Sequence, residues 1–298
     1  MNEPNVSLPF FAYGVFKPGQ LSFLQISECV AQIRTDLQIP GELRLRDGLP
    51  LFVPGEPDQF VKGSLIVFKD GKTKDAYARI ADLEPKHQYW WKVMKFGGDE
   101  ANVLVGRSPM KGSSPCDEEW NGWTDPFFCS ALDVVDETLK ANAEFKWDLK
   151  PLFRLQMAYL LLWSSIERYA SLRYGFGDKP TPKIDRLADE PAFIARLSEI
   201  VTEKRTVLRA DDFNDKTSLD PAEPLKSIRY YYQVRSNVTH RGKAAPVDHE
   251  TVRESLSELL PIFIGMLTAA RKESESAIRE EITANKVSPS ASCLLRQS

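Results

Sequence analysis

Two small groups of residues have the types and spacing that chemistry needs. In FFAYGVFKPGQ, residues 10–20, an apolar run meets Gly14 and then the turn signature Lys17-Pro18-Gly19. A glycine there lets backbone N–H groups converge with no β-carbon in the way, which suits a carboxylate or a carbonyl oxygen. About 70 residues later, Glu84 closes a helical pattern just before Pro85 and the strand-like run YWWKVMKF. A carboxylate held there among Tyr89, Trp90 and Trp91 is partly desolvated, and desolvation raises its pKa toward that of a useful general base. The plainer alternative is a simple turn at Gly14 and an exposed glutamate at a helix end.

The second group is YYYQVRSNVTHRGK, residues 230–243. On a helix turning about 100° per residue, with Leu225 at zero, Ile228 falls at about 300°, Tyr232 at about 340°, Arg235 at about 280° and Thr239 at about 320°. Arg235 is thereby expected inside the apolar stripe. An unpaired charge is expensive there, so it needs a carboxylate, a phosphate or an interface. His240 falls in the last turn before Gly242, where a helix C-terminus favours the imidazolium. About 140° separates the two side chains on an ideal helix. They converge on one atom only if the helix is distorted or a second subunit contributes. An interhelical ion pair and a C-terminal histidine cap are the plainer alternative.

The elements that must position these residues divide the chain. Residues 8–107 alternate short β-branched and aromatic runs with turns: Phe10 to Tyr13, Glu42 to Arg46, Leu49 to Val53, Phe60 to Phe68, Tyr89 to Phe96 and Asn102 to Val105. Ala76, Ile80 and Leu83 supply helical spacing in the one good helix, about 74–83. Many strands and one helix suggest a small mixed α+β barrel. Residues 108–139 are rich in Gly, Ser, Pro and acids, yet Trp120, Trp123 and Phe127 argue for a packed connection. From about 146 everything reads as helix. Leu152, Leu155, Tyr159, Leu162, Ile166 and Tyr169 step by three and four, with Leu160 and Trp163 on a second apolar face. Further helices are expected over about 184–207, 222–241 and 248–272, with a kink at Pro261. Four helices with short connections make a bundle. The fold class is therefore α+β, a small mixed β-barrel followed by an all-α four-helix bundle. The domains are expected at 1–110, a packed linker 111–145, the bundle 146–285 and a disordered tail 286–298.

The runs FFAYGVFKPGQ, DGLPLFVPGE, VKGSLIVF and IADLEPKHQYWWKV, in that order over residues 8–107, resemble the gamma-glutamylcyclotransferase-like superfamily. The resemblance implies a small β-barrel with flanking helices and cyclisation of gamma-glutamyl compounds to 5-oxoproline. It assigns Tyr13, Gly14, Val15 and Phe16 to the loop that binds the glutamyl group through its backbone, with Tyr89 beside it. Glu84 becomes the base that takes a proton from the attacking α-amine. The sequence departs from the family pattern at Val15, Phe16 and Pro85, and at Trp90 or Trp91 where the family has arginine. Backbone N–H recognition does not depend on those side chains.

Arg-x4-His at the end of the third helix, with Trp163 and Glu167 in LLWSSIERYASLRYG on the first, resembles the HEPN superfamily over about 146–272. Active HEPN domains are metal-independent endoribonucleases whose site is composed at a dimer interface. The resemblance implies that Arg235 steadies the charge at phosphorus and His240 moves protons, leaving a cyclic phosphate. Glu167 and Asn237 become auxiliary residues. It also implies a homodimer through the bundle, burying Tyr231 or Tyr232 and part of the Trp163 face. RNA is then the partner of the C-terminal domain and a gamma-glutamyl small molecule that of the N-terminal one. The leading expectation is RNA cleavage or RNA binding by the bundle, sensed or restrained by the barrel. The alternatives are a cyclotransferase that the helices only dimerise, or a non-catalytic ligand-binding scaffold.

Composition sets the outer bounds. At 298 residues, roughly 150 per domain gives two domains. A hydrophobic share of 42% with 27% charged residues excludes wholly disordered, collagen-like and membrane-bundle classes. The net charge of −3 excludes a generically basic nucleic-acid coat, but residues 1–139 carry 14 basic and 20 acidic residues and the remainder 25 and 22. The C-terminal part is the half suited to a polyanion. Four cysteines show no C-x-x-C pair, so neither a disulfide framework nor a zinc site is expected. Asp211, Asp212 and Asp215 with Lys216 read as an exposed loop, and no metal or cofactor is expected. No signal-peptide pattern or bilayer-length apolar run appears, and the expected location is cytoplasmic.

Overall fold

The computed structural model describes residues 2–55, 58–84, 87–117, 119–142, 149–175, 180–209, 214–241 and 246–287. The chain divides into two compact units, Met1–Gly122 with Arg271–Ser298, and Trp123–Ala270.

The first unit is a nearly closed, barrel-like mixed sheet. Its strands are β1 (Phe10–Ala12), β2 (Val30–Arg46), β3 (Leu49–Pro54), β4 (Phe60–Phe68), β5 (Tyr89–Phe96), β6 (Asp99–Gly106) and β7 (Ser114–Pro115), with helix α1 (Thr73–Leu83) between β4 and β5. The order across the sheet is β3-β2-β4-β1-β6-β5, with β7 paired to β2. Short central β1 runs antiparallel to β4 and parallel to β6. Most strands lie where alternation and β-branching put them. The first half of β2 is the exception, because the run from Val30 to Ile39 buries little beyond its two ends and shows no alternation. β2 curves around the sheet, with register shifts between Val30 and Gln32 and between Arg34 and Leu37. At Gly41 it leaves β4 and pairs with β3. Gly41 has φ +150°, and a β-carbon there would lie 2.4 Å from both the Phe52 ring and the Val53 carbonyl oxygen, so only glycine lets the strand turn that corner.

α1 buries Ala76, Tyr77, Ile80 and Leu83 against the sheet. Tyr77 stacks edge-on to Trp91 and Phe68, and Phe10 joins the same aromatic cluster. The helix closes where Glu84 turns extended while its N–H still donates to the Ile80 carbonyl at 3.0 Å. Pro85 follows in the sequence, and a residue before proline is driven out of the helical region.

The second unit holds α2 (Ser130–Ala141), α3 (Lys150–Tyr174), α4 (Pro180–Leu187), α5 (Pro191–Ile200), a two-stranded hairpin of β8 (Arg205–Leu208) and β9 (Lys216–Leu219), α6 (Pro224–Arg241), and α7 (Pro246–Val287) as far as Ala270. The apolar stripe of α3 is buried as its period requires, from Leu152 to Tyr169. Two expectations need correction. The single helix over about 184–207 is instead α4, α5 and then strand β8, because Pro191 starts a new helix after Glu190 and Arg-Thr-Val-Leu pairs with Lys-Thr-Ser-Leu. The connection over 108–139 also contains most of a helix, α2, which packs on α3 through Leu132 and Val135. Pro261 lies inside α7. Nearly all of the expected tail, 288–298, lies outside the described residues. No helix among the described residues is long and apolar enough to cross a membrane.

Candidate functional site

The barrel brings together the residues singled out around Gly14 and Glu84. β1 delivers Tyr13 into the core, where its hydroxyl donates to the Leu104 carbonyl at 2.8 Å and accepts from the Phe52 N–H at 3.3 Å. The chain then turns at Gly14, with the Lys17 N–H closing onto the Gly14 carbonyl at 2.8 Å. Pro50 sits on the glycine, and a β-carbon at 14 would come to 2.6 Å from its Cγ. Among the described residues, no main-chain acceptor meets the N–H groups of Gly14, Val15 or Phe16. Tyr89 holds the far side, its hydroxyl donating to the Pro50 carbonyl at 2.8 Å.

Glu84 shares one cavity with this loop, walled by Tyr13, Gly14, Phe16, Pro50 and Tyr89. It is only 9% exposed, and no donor among the described residues reaches its carboxyl. Burial alone pushes its pKa up to about 8, since an uncompensated charge is costly in a low-dielectric site. Burial also pushes the Tyr13 phenol well above its ordinary value, and the negative charge of Glu84 pushes it further, against the Phe52 hydrogen bond. Tyr13 therefore stays protonated and acts as a fixed donor. The cavity measures about 10 Å³, room for about one water. Val15 and Phe16 are buried wall residues. Pro50 and Leu104, which orient both tyrosines, carry no chemistry in their side chains. Only the turn in Asp47-Gly48-Leu49-Pro50 marks the former in the sequence.

In the helical unit, Arg235 of α6 reaches Glu167 of α3, Nη2 to Oε1 3.3 Å. Its guanidinium lies 5.5 Å from the centroid of the Tyr232 ring, which packs edge-on against Trp163 at 5.4 Å. The Nε of Arg235 has no partner among the described residues. The side chains of Arg235 and Glu167 are 28% and 36% exposed, so the pair opens to solvent. The side chain of His240, in the last turn of α6, lies outside the described residues. Asn237 lies about 200° from Arg235 around the helix. Its amide donates to the Leu208 carbonyl at 2.8 Å and accepts from Gln233 at 2.9 Å.

The apolar face of α6 differs from the expected one. Ser227, Ile228, Tyr230, Tyr231 and Val234 form the buried face, while Leu225 is exposed. Three consecutive tyrosines allow two registers, and the core takes the one containing Tyr231, which donates to Glu258 at 3.0 Å. Arg235 falls between Ile228 and Tyr231 around the helix and is half-buried, toward one edge of the buried face. Tyr231 and Trp163, 0% and 1% exposed, are interior to one chain and offer no face to a second subunit. Tyr232, half-buried, is the tyrosine that remains available.

Among the described residues no group of three or more His, Cys, Asp or Glu side chains could hold a metal ion. Asp211 and Asp212 lie outside those residues, and Asp215 pairs with Arg209 at 3.5 Å. No family model, no curated protein and no solved structure matches the chain.

Proposed function

We propose that the barrel performs acid–base chemistry on a gamma-glutamyl substrate, releasing 5-oxoproline and a free amine. The observation that carries this reading is Glu84: a buried carboxyl that no donor among the described residues reaches, sharing a cavity with a loop whose N–H groups meet no main-chain acceptor among those residues. Its raised pKa of about 8 lies far nearer to that of an α-ammonium than an ordinary carboxyl does. Proton transfer from the ammonium is then less uphill, which suits a general base. Glu84 takes a proton from the substrate α-ammonium. The freed nitrogen attacks the γ-carbonyl carbon, whose oxygen gathers charge opposite the N–H groups of residues 14–16. As the tetrahedral centre collapses, the bond from that carbon to the leaving nitrogen breaks, Glu84 returns its proton to that nitrogen, and the second proton shed by the ring nitrogen follows, so the amine departs as ammonium. At about 10 Å³ the cavity holds about one water, so this reading requires the wall to open before a gamma-glutamyl group enters. The test is 5-oxoproline release from a panel of gamma-glutamyl amines. Glu84→Gln is expected to lower the rate by about 10² to 10⁴ while binding the same amines. A wild-type protein that releases none overturns the reading and leaves a binding scaffold.

A second reading is favoured by Arg235, a partly exposed cation beside a carboxylate that orients it. In this reading the helical unit binds RNA at a phosphate, and cleaves it where the 2′-oxygen attacks phosphorus and the 5′-oxygen leaves. The proton of the 2′-hydroxyl leaves as that oxygen attacks, one is delivered to the leaving 5′-oxygen, His240 moves protons in this exchange, and a 2′,3′-cyclic phosphate remains. The dimer face is the exposed stripe of Leu149, which caps α3, with Phe153 and Met157, and it continues along the helix through Leu160 and Ser164 to Glu167. Cleavage measured in EDTA tests it. Fragments with cyclic ends that vanish in Arg235→Ala support the reading, and activity that vanishes on chelation contradicts it.

A further inference from the structure

We infer that the second unit carries a binding cleft for an amphipathic anion, an apolar body with one anionic head, on a face of α6 that neither reading above uses. The cleft encloses about 420 Å³ between the hairpin, α6 and α7, within the roughly 300–1,000 Å³ that small-molecule sites occupy. Its apolar wall is Val207 and Leu208 of β8, Val234 and Val238 of α6, and Val252 of α7, and the polar side chains of Gln156, Thr206, Lys216, Asn237 and Thr251 complete the lining. Leu208 is 38% exposed, a large apolar side chain left to solvent at the edge of an apolar slot. Filling the slot with an apolar body removes that surface from water, the driving force for binding.

The polar groups of the cleft select the head. Asn237 already has its amide engaged by Gln233 and Leu208, so that part of the wall makes no demand that an apolar ligand fails to meet. Lys216 is different. It sits opposite Leu208 in the hairpin register, lines the cleft, and is exposed with no carboxylate partner among the described residues. An exposed ammonium at the edge of an apolar slot suits a carboxylate or phosphate whose tail lies inward. A neutral ligand of the same shape gains nothing from it.

Calorimetric titration of the full chain with octanoate, octyl phosphate and octanamide tests the assignment. Octanoate or octyl phosphate is expected to bind, octanamide about tenfold more weakly, and Lys216→Ala to remove that difference. Thr206→Trp, at an exposed position on the wall, is expected to block all three, with an unchanged thermal melt showing that both variants fold. Binding of the acids and the amide with equal affinity, binding that survives Thr206→Trp, or no binding at millimolar ligand overturns the inference.

Discussion

Gly14 and Pro50 are in contact through the space a side chain would occupy. A β-carbon at 14 would stand 2.6 Å from Pro50 Cγ, and Pro50 is in turn fixed by the Tyr89 hydroxyl on its carbonyl. Gly14 is not among the residues with positive φ, so the demand for glycine is one of space. Gly14→Ala is expected to destabilise the fold by about 1–3 kcal/mol, the usual cost of overpacking. Denaturant midpoints check this. An alanine variant as stable as the wild type would mean the loop does not rest on Pro50.

The buried carboxyl of Glu84 makes stability depend on pH with a definite sign. Its pKa rises from an ordinary 4.5 to about 8 on folding, so between those values the folded chain holds a proton that the unfolded chain has lost. The stabilising effect of the protonated group is complete below about pH 4.5. It declines by about 1.4 kcal/mol per pH unit as pH rises and is gone near pH 8. Glu84→Gln should flatten this part of the profile. Paired unfolding curves from pH 4 to 9 give the difference directly.

Two arginine–carboxylate pairs in the helical unit should respond in opposite ways. Arg235 and Glu167 are 28% and 36% exposed, and exposed pairs contribute about 0–1 kcal/mol. Arg235→Ala is therefore expected to leave the melting temperature nearly unchanged, so a loss of RNA cleavage or binding in that variant reports on function.

Asp125 and Arg168 are the buried counterpart, with side chains 1% and 12% exposed and Oδ2 2.8 Å from Nη2. Asp125 also accepts the Phe127 N–H at 3.0 Å. Asp125→Ala removes the carboxylate facing a largely buried guanidinium and is expected to cost about 3–5 kcal/mol. A loss below about 1 kcal/mol in chemical denaturation would show that water reaches Arg168 without disturbing the fold.

Much of the barrel was legible because its strands alternate or cluster β-branched residues, as Phe60 to Phe68 does. The first half of β2 was not, since a strand that buries only its ends leaves no period to read. The α3 stripe was plain for the opposite reason: each of its residues from Leu152 to Tyr169 is interior. Around Arg235 the period was ambiguous. Tyr230, Tyr231 and Tyr232 fit two registers, and only packing against α7 through Glu258 selects one. The burial of Glu84 could be read from its aromatic neighbours and its nearness to the Gly14 loop only from the resemblance, while the role of Pro50 could not be read, because a backbone carbonyl and a ring edge leave little trace in sequence. The β8–β9 hairpin and the cleft beside it were hidden in a stretch whose apolar content also suits a helix.

The most direct measurement is the titration of the Glu84 carboxyl itself, by carbon NMR on glutamate labelled at Cδ, with Glu84→Gln to assign the signal. Proton transfer at this site requires a carboxyl that titrates near 8 in the free protein and shifts downward when a gamma-glutamyl amine brings its ammonium into the cavity. A midpoint near the ordinary 4.5, unmoved by any such amine, would contradict it.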